Sequence, residues 1–519
     1  MSSERASLAG KAFSAARYAA VYRVIAQLIG AVSTVFLVRV LSEQAYGVYN
    51  LLYSVIALLG MVFSLGIANL LQRYIPEYYG RGEYVLADRL YRSATLFRLL
   101  SNVLVLGLIL LGWEYVGPLL KIGGYRQYFL LFSLIILLHM QRGILETCLS
   151  SYFLQRESQG LSIVFILIKG VGYGAALLFG WDLWKILIID LLAYLVVFVL
   201  LQAVYWKKIP RHGGSHDRFS REERSRLSRY AFFYNFNDAG AGMLDANFDN
   251  FIIVMYLDPV AVGAYAFCNR INAMAARMLP INYLLDVIRP LFFIGNSDSD
   301  RDKVRRNFQL LTKATYMFQF PLFMFFFLLG KEFITVFFGG KFVEYAPVLT
   351  AVAFCNLVNA IQLPVGLVAQ LRERADIILY SKMFALYNLV ADVVLIHFLG
   401  IWGAVIATGS AVFMKNLYVW FYIRREAGFV GMGQFFTRMI GCWMMVAMVW
   451  QIADVLFERN YEIVVIGLSF IVLGVFLQIR FLHLTEWERK KLSEVRWRNR
   501  RIVRMLNFVG LELSATTER

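Results

Sequence analysis

Three aspartates, Asp238, Asp245 and Asp249, recur within one long apolar run, and two arginines, Arg270 and Arg277, recur within the next. At about 100° per helical residue, steps of seven and eleven return to within about 20° of the start. The carboxylates therefore share one helical stripe, with Asn235 just off it, and the arginines share another. The two runs are joined at Asp258–Pro259. At about 1.5 Å per residue from that turn, Asp249 and Asp245 fall at about 14 and 20 Å and bracket Arg270 at about 17 Å. Asp238 and Arg277 both fall near about 28–30 Å. An ionisable group at the centre of a bilayer costs about 2.5–3.5 kcal/mol unless it faces a cavity or a partner. Two chemistries fit these depths. The stripes pair as two layers of ions that hold helices together, or they line a polar cavity where arginines meet an anionic ligand. A paired arginine still has spare donors for a phosphate, so the two are compatible.

Other charges also fall inside apolar runs. Arg23 lies about 9 Å from the start of its helix, within snorkelling reach, and Arg98 is similarly placed. Lys169 and Lys415 lie deeper, and Asp190 on the following helix is the expected partner of Lys169. The Gly170-x-Gly172-x-Gly174 stretch beside it reads as close helix packing. His139 and His397 read as packing residues. His212 and His216 stand four apart in a Gly-Gly loop without a third ligand, so no metal site is expected.

The elements that carry these groups follow from composition. Hydrophobic residues make up 59% of the 519 residues and charged residues 17%. Mean hydropathy is +0.60. Soluble domains sit near about 45–50% apolar and about 25% charged. The chain reads as an all-α polytopic membrane protein with about fourteen spans: 17–41, 46–71, 87–112, 127–150, 158–180, 183–206, 229–257, 260–289, 308–330, 345–371, 376–399, 402–424, 434–457 and 462–482. The net charge of +17 gathers in alternate loops, among them Arg73–Arg89, Lys207–Arg226 and Arg301–Arg306. That pattern expresses topology and not nucleic-acid binding. It places both termini in the cytoplasm. The first span is too long for a signal-peptide core and lacks a cleavage pattern, so it is expected to stay. Cys148, Cys268, Cys355 and Cys442 fall in or beside apolar spans and read as small buried groups without disulfides.

An internal echo organises the spans. Leu41-x-x-x-Ala45-x-Gly47-x-Tyr49 returns 216 residues later as Leu257-x-x-x-Ala261-x-Gly263-x-Tyr265, followed in each case by an apolar helix with a late proline, Pro76 and Pro290. The echo aligns span one with span seven, both starting on the same side, so the repeats run parallel. The expected plan is an N-terminal lobe (1–206), a basic linker (207–228), a C-terminal lobe (229–424), an extra helix pair (425–483) and a basic tail (484–519). In the tail, 485–508 alternates Trp487, Leu492, Val495, Trp497, Ile502 and Leu506 with basic residues, as a helix lying on an anionic leaflet would. No P-loop, H-E-x-x-H, nucleophile elbow or Cys-x-x-Cys occurs, so the sequence offers no catalytic set and implies no cofactor.

The run Val38-Arg39-Val40-Leu41-Ser42-Glu43-Gln44-Ala45-Tyr46-Gly47-Val48-Tyr49 resembles the signature of polysaccharide-biosynthesis flippases, the Wzx-like members of the multidrug/oligosaccharidyl-lipid/polysaccharide exporter superfamily. The resemblance continues through Ser64–Ala68, Arg73–Tyr78 and Arg81-Gly82-Glu83, and in the second half through Leu244-Asp245, Asp249, Ile252-Ile253, Val262-Gly263, Tyr265, Asn269-Arg270-Ile271 and Arg289-Pro290. It implies two six-helix lobes around a central cavity. It also implies alternating-access transfer of a polyprenyl-diphosphate-linked oligosaccharide from the inner to the outer leaflet of a bacterial cytoplasmic membrane. In that setting Arg23, Arg270, Arg277 and Lys415 would face the diphosphate. Asn235, Asn237, Asn269 and Asn272 would face sugar hydroxyls. Anionic inner-leaflet lipids, a polymerase and other assembly proteins are the implied partners. A cation-coupled multidrug antiporter of the same superfamily would instead use Asp238, Asp245 and Asp249 as ion sites. A membrane transferase with His397 as base would need a large extramembrane loop, which the sequence lacks.

Overall fold

The computed structural model describes residues 24–62, 66–209, 218–242, 246–281, 301–372, 374–425, 427–429, 431–456 and 461–481. Arg23, Asp245, His212, His216, Pro290 and the 485–508 helix lie outside the described residues. Within them the chain is helical and shows no strand. In lipid, backbone N–H and C=O groups find partners only within a helix or a closed barrel, so long apolar runs become helices.

The helices in chain order are α1 (Val24–Val40), α2 (Glu43–Val62), α3 (Ile67–Gly80), α4 (Tyr84–Leu111), α5 (Trp113–Leu119), α6 (Arg126–Ser151), α7 (Gln155–Phe179), α8 (Leu183–Lys208), α9 (Arg221–Gly242), α10 (Ala246–Tyr256) and α11 (Pro259–Arg277). They continue as α12 (Arg301–Phe338), α13 (Ala346–Val358), α14 (Gln362–Leu371), α15 (Ala375–Tyr380), α16 (Phe384–Leu399), α17 (Ile401–Ile423), α18 (Gly433–Leu456) and α19 (Tyr461–Arg480). Within the described residues, each of the fourteen expected spans overlaps helix. Nine helical stretches among the described residues are long and apolar enough to cross a membrane, with shorter apolar helices at Val24–Val40 and Ile466–Arg480.

Packing divides the chain into two units, one of residues 1–274 with 382–411, the other of 275–381 with 412–519. In the first, a core around Tyr74, Tyr78, Leu90, Leu145 and Leu201 joins α3, α4, α6 and α8. In the second, Trp443 of α18 donates its indole N–H to Gln478 Oε1 on α19 at 2.7 Å, and Gln478 donates in turn to the Met317 carbonyl of α12 at 3.1 Å. The C-terminal helix pair is thereby tied to α12 through a satisfied buried amide.

The echo has a structural meaning at each conserved position. Ser42 Oγ accepts from Ala45 N (3.2 Å), and Asp258 Oδ1 accepts from Ala261 N (2.7 Å). Both are N-cap bonds at the starts of α2 and α11. The two glycines then meet. A Cβ built on Gly47 would lie 1.7 Å from the Pro259 carbonyl oxygen, and one on Gly263 would lie 3.0 Å from Gly47 N. Only glycine lets these two backbones approach so closely.

Candidate functional site

The first unit holds two buried polar centres, and each is entered by one of the echo tyrosines. The first is built on Asp190 of α8, which is 0% exposed. Asp190 Oδ2 accepts from Tyr49 (3.0 Å) and Tyr53 (2.5 Å) of α2, and Oδ1 accepts from Tyr173 of α7 (2.5 Å). Lys169 Nζ on α7 lies 3.0 Å from Oδ1, the pair expected from the sequence, and also donates to the Tyr53 hydroxyl at 3.2 Å. Spacing on α7 explains the arrangement: Lys169 and Tyr173 are four residues apart and share a face. The rings of Tyr53, Phe165, Tyr173 and Tyr194 stand 5.3–5.9 Å from the ammonium, within cation–π range. A buried carboxylate needs its charge compensated and its lone pairs filled, and these four donors do both.

Arg270 of α11 lies beside this tyrosine cage. Its charge acts on Tyr46, Tyr49, Tyr173 and Tyr53, and on Lys169. Among the described residues it forms no ion pair. The helical count sets Asp249 and Asp245 on either side of Arg270 as one possible ion-pair layer; Asp245 lies outside the described residues, and no ion pair joins Arg270 to Asp249. Asp249 turns to its own hydroxyl donors, while Arg270 points to the tyrosines. Depth along a helix fixes the layer of a side chain, whereas rotation about the axis decides which neighbour it meets.

The second centre is built on Asp249 of α10, also 0% exposed. Its Oδ2 accepts from Tyr265 of α11 (2.5 Å) and from Thr408 of α17 (2.9 Å). Asp392 of α16 lies against it, the two carboxyl groups within hydrogen-bonding reach. Asn388, one turn earlier, donates to Asp392 Oδ2 at 2.9 Å, and both side chains are 0% exposed. Among the described residues, Asp392 Oδ1 has no hydrogen-bond partner. Two buried carboxyl groups in contact cannot both carry uncompensated charge, so a proton or a cation must come between them. The sequence reading missed Asn388, Asp392 and Thr408. The available signal was a carboxylate inside the apolar run of α16 with an amide four residues before it.

The other expected residues take the following places. Asn235 and Asp238 lie on α9, with side chains outside the description. Arg277 is exposed at the end of α11, and Lys415 is half-buried on α17. Asn269 donates to its own Tyr265 carbonyl at 3.0 Å. Arg98, for which the sequence leaves cavity and interface both open, is buried with a guanidinium nitrogen 3.1 Å from Met140 Sδ. His139 Nδ1 meets the Tyr194 hydroxyl at 3.0 Å, as a satisfied packing histidine would. At the start of α9, Arg221, Arg226 and Arg229 line a cavity with Tyr74, and Arg226 pairs with Glu77 at 3.3 Å. Asn250 of α10 donates to Ser54 Oγ of α2 at 2.8 Å and ties the two repeats together.

Comparisons with known proteins agree on the architecture. Residues 36–347 match the family model described as polysaccharide biosynthesis protein. The chain is 26% identical over 234 residues to the teichuronic acid biosynthesis protein TuaB of Bacillus subtilis, a match covering 44% of this chain and 46% of that one, so it spans about half of that relative. It is 22% identical over 400 residues to the lipopolysaccharide biosynthesis protein WzxC of Escherichia coli, covering 75% and 76% of the two chains. Among solved structures, the lipid II flippase MurJ in an inward closed conformation superposes with a TM-score of 0.67 at 14% identity, over 89% of this chain and 97% of that one. The multidrug transporter DinF-BH superposes with a TM-score of 0.51 at 14% identity, over 80% and 96%. At such identities the structural likeness speaks for the fold.

Proposed function

Since the chain belongs to the polysaccharide biosynthesis protein family, as a Wzx-like membrane transporter and not an enzyme, we propose that it flips a polyprenyl-diphosphate-linked oligosaccharide from the inner to the outer leaflet of a bacterial cytoplasmic membrane. One observation carries this reading. The two buried centres have opposite character, one offering Arg270 with no carboxylate partner among the described residues, the other offering Asp249 against Asp392. An anion crossing lipid needs fixed positive charge to replace its water. Arg270 supplies it to the diphosphate, with Arg23, Arg277 and Lys415 as further contacts. Asn235 and Asn269 meet the sugar. The Asp249–Asp392 pair takes the coupling cation, with Tyr265, Thr408 and Asn388 as its hydrogen-bonding surround. Asp238 and Asp245 are further candidates for the coupling ion.

Transport proceeds by alternating access of two parallel six-helix lobes, 1–206 and 229–424, with the pair in 425–483 as an addition. The glycine contact at Gly47 and Gly263 supports a closure that forms without side chains and separates without unlocking any. Both termini lie in the cytoplasm. The basic tail rests on anionic lipid, and a polymerase consumes the flipped product. Lipid analysis of a strain lacking the protein tests the reading. One lipid-linked oligosaccharide is expected to accumulate on the inner leaflet.

A second reading, a cation-coupled multidrug antiporter, draws on the same acidic pair, because Asp249 is not neutralised by Arg270. It predicts altered drug tolerance with normal glycolipids in the same strain.

A further inference from the structure

We propose that Lys169 and Arg270 form one seat for the diphosphate, and that Asp190 is a resident counter-ion which the substrate displaces from Lys169. The inference rests on the flippase reading and adds a residue and a mechanism to it. A diphosphate carries more negative charge than one guanidinium balances, so a site of low dielectric calls for a second cation. Lys169 Nζ stands 5.3 and 5.5 Å from the rings of Tyr53 and Tyr173, two of the tyrosines on which the Arg270 charge acts.

Lysine has three N–H donors. Among the described residues two are engaged, one by Asp190 at 3.0 Å and one by Tyr53 at 3.2 Å. The side chain remains 14% exposed, whereas that of Asp190 is fully covered. The pair is thus reachable from the lysine side only, as an anion seat requires.

The phenols make the exchange affordable. Asp190 receives three hydroxyl donors besides the ammonium, from Tyr49, Tyr53 and Tyr173. When Lys169 turns to an incoming phosphate, both carboxylate oxygens keep hydrogen bonds. A plain structural ion pair would leave its carboxylate orphaned on separation, at a high desolvation cost. Three tyrosines around one aspartate are more than a permanent lysine partner needs.

The test uses the full chain in phosphatidylcholine nanodiscs, titrated calorimetrically with inorganic pyrophosphate. Lys169→Met is expected to weaken binding by about tenfold or more, the size of one lost charge-assisted contact, with Lys169→Arg restoring most of it. Asp190→Asn removes the competing anion and is expected to tighten binding several-fold. A purely structural pair predicts the opposite sign for Asp190→Asn, with both neutral variants weakened alike. That result, or wild-type binding by Lys169→Met, overturns the proposal. Loss of binding in Arg270→Ala alongside normal binding in Lys169→Met sinks the second cation while sparing the flippase reading. No pyrophosphate binding by the wild-type protein sinks both. Farnesyl diphosphate is expected to compete with pyrophosphate. If nanodiscs of phosphatidylglycerol compete equally well, the seat serves a lipid headgroup and the assignment to diphosphate fails.

Discussion

Tyr49 and Tyr265 occupy the same place in two copies of one plan, and they donate to carboxylates set in opposite surroundings. Tyr49 reaches Asp190, which Lys169 compensates. Tyr265 reaches Asp249, which lies against a second carboxyl group, Asp392. Around these tyrosines the repeats agree: Ser42 and Asp258 cap their helices alike, and Gly47 touches Gly263. The buried ionisable groups they reach differ. The residue 216 positions before Asp249 is Ser33, which bonds its own helix at Ile29. Duplication supplied a frame with two equivalent tyrosine positions. On the proposed reading, one centre then takes an anion and the other a cation. The frame explains how the helices meet, and the difference is what the proposed handling of two oppositely charged ligands rests on.

The sharpest way to break this comparison is to remove charge from one centre at a time. Arg270→Ala is expected to lower flipping by about thirtyfold or more, for about 2 kcal/mol or more of lost charge contact. Accumulated lipid-linked oligosaccharide in cells reads the effect, with membrane content of the protein unchanged. Asp392→Asn keeps the shape and removes the charge, so flipping is expected to fall about tenfold. Its remaining rate should no longer respond to an imposed sodium or proton gradient.

Gly47→Leu tests the frame. Any side chain here meets the Pro259 carbonyl, so the α2 and α11 ends must move apart. A cysteine pair placed across this contact is expected to cross-link in the wild-type background and to lose most of that yield beside Gly47→Leu. The smallest effects belong to the phenols. Tyr265→Phe removes a bond to a carboxylate with two named donors, at about 1.5–3 kcal/mol. Tyr49→Phe leaves Asp190 with three donors and is expected to cost less, about 1 kcal/mol. Thermal unfolding of the purified protein should rank them in that order.

The fold was legible because lipid forces a simple code. Apolar runs of span length coincide with helix throughout the described residues, and the 216-residue echo marks caps and a glycine contact that the structure displays. The Lys169–Asp190 pair was legible as well, since adjacent antiparallel helices leave few partners at that depth. The Asp249 surround was not. Its members come from α10, α11, α16 and α17, far apart in the chain, and no local spacing links Asp249 to Asn388, Asp392 and Thr408. Matching depths put Arg270 between Asp249 and Asp245 without saying which neighbour it meets, because periodicity orders residues along a helix and leaves the choice among facing helices open.

Uptake of a radiolabelled lipid-linked oligosaccharide by proteoliposomes, with and without an imposed cation gradient, tests the division of labour most directly. The account predicts gradient-stimulated transfer by the wild-type protein. It predicts slow, gradient-independent transfer by Asp392→Asn and almost none by Arg270→Ala under either condition. Transfer by Asp392→Asn that still accelerates with the gradient, or normal transfer by Arg270→Ala, would contradict it.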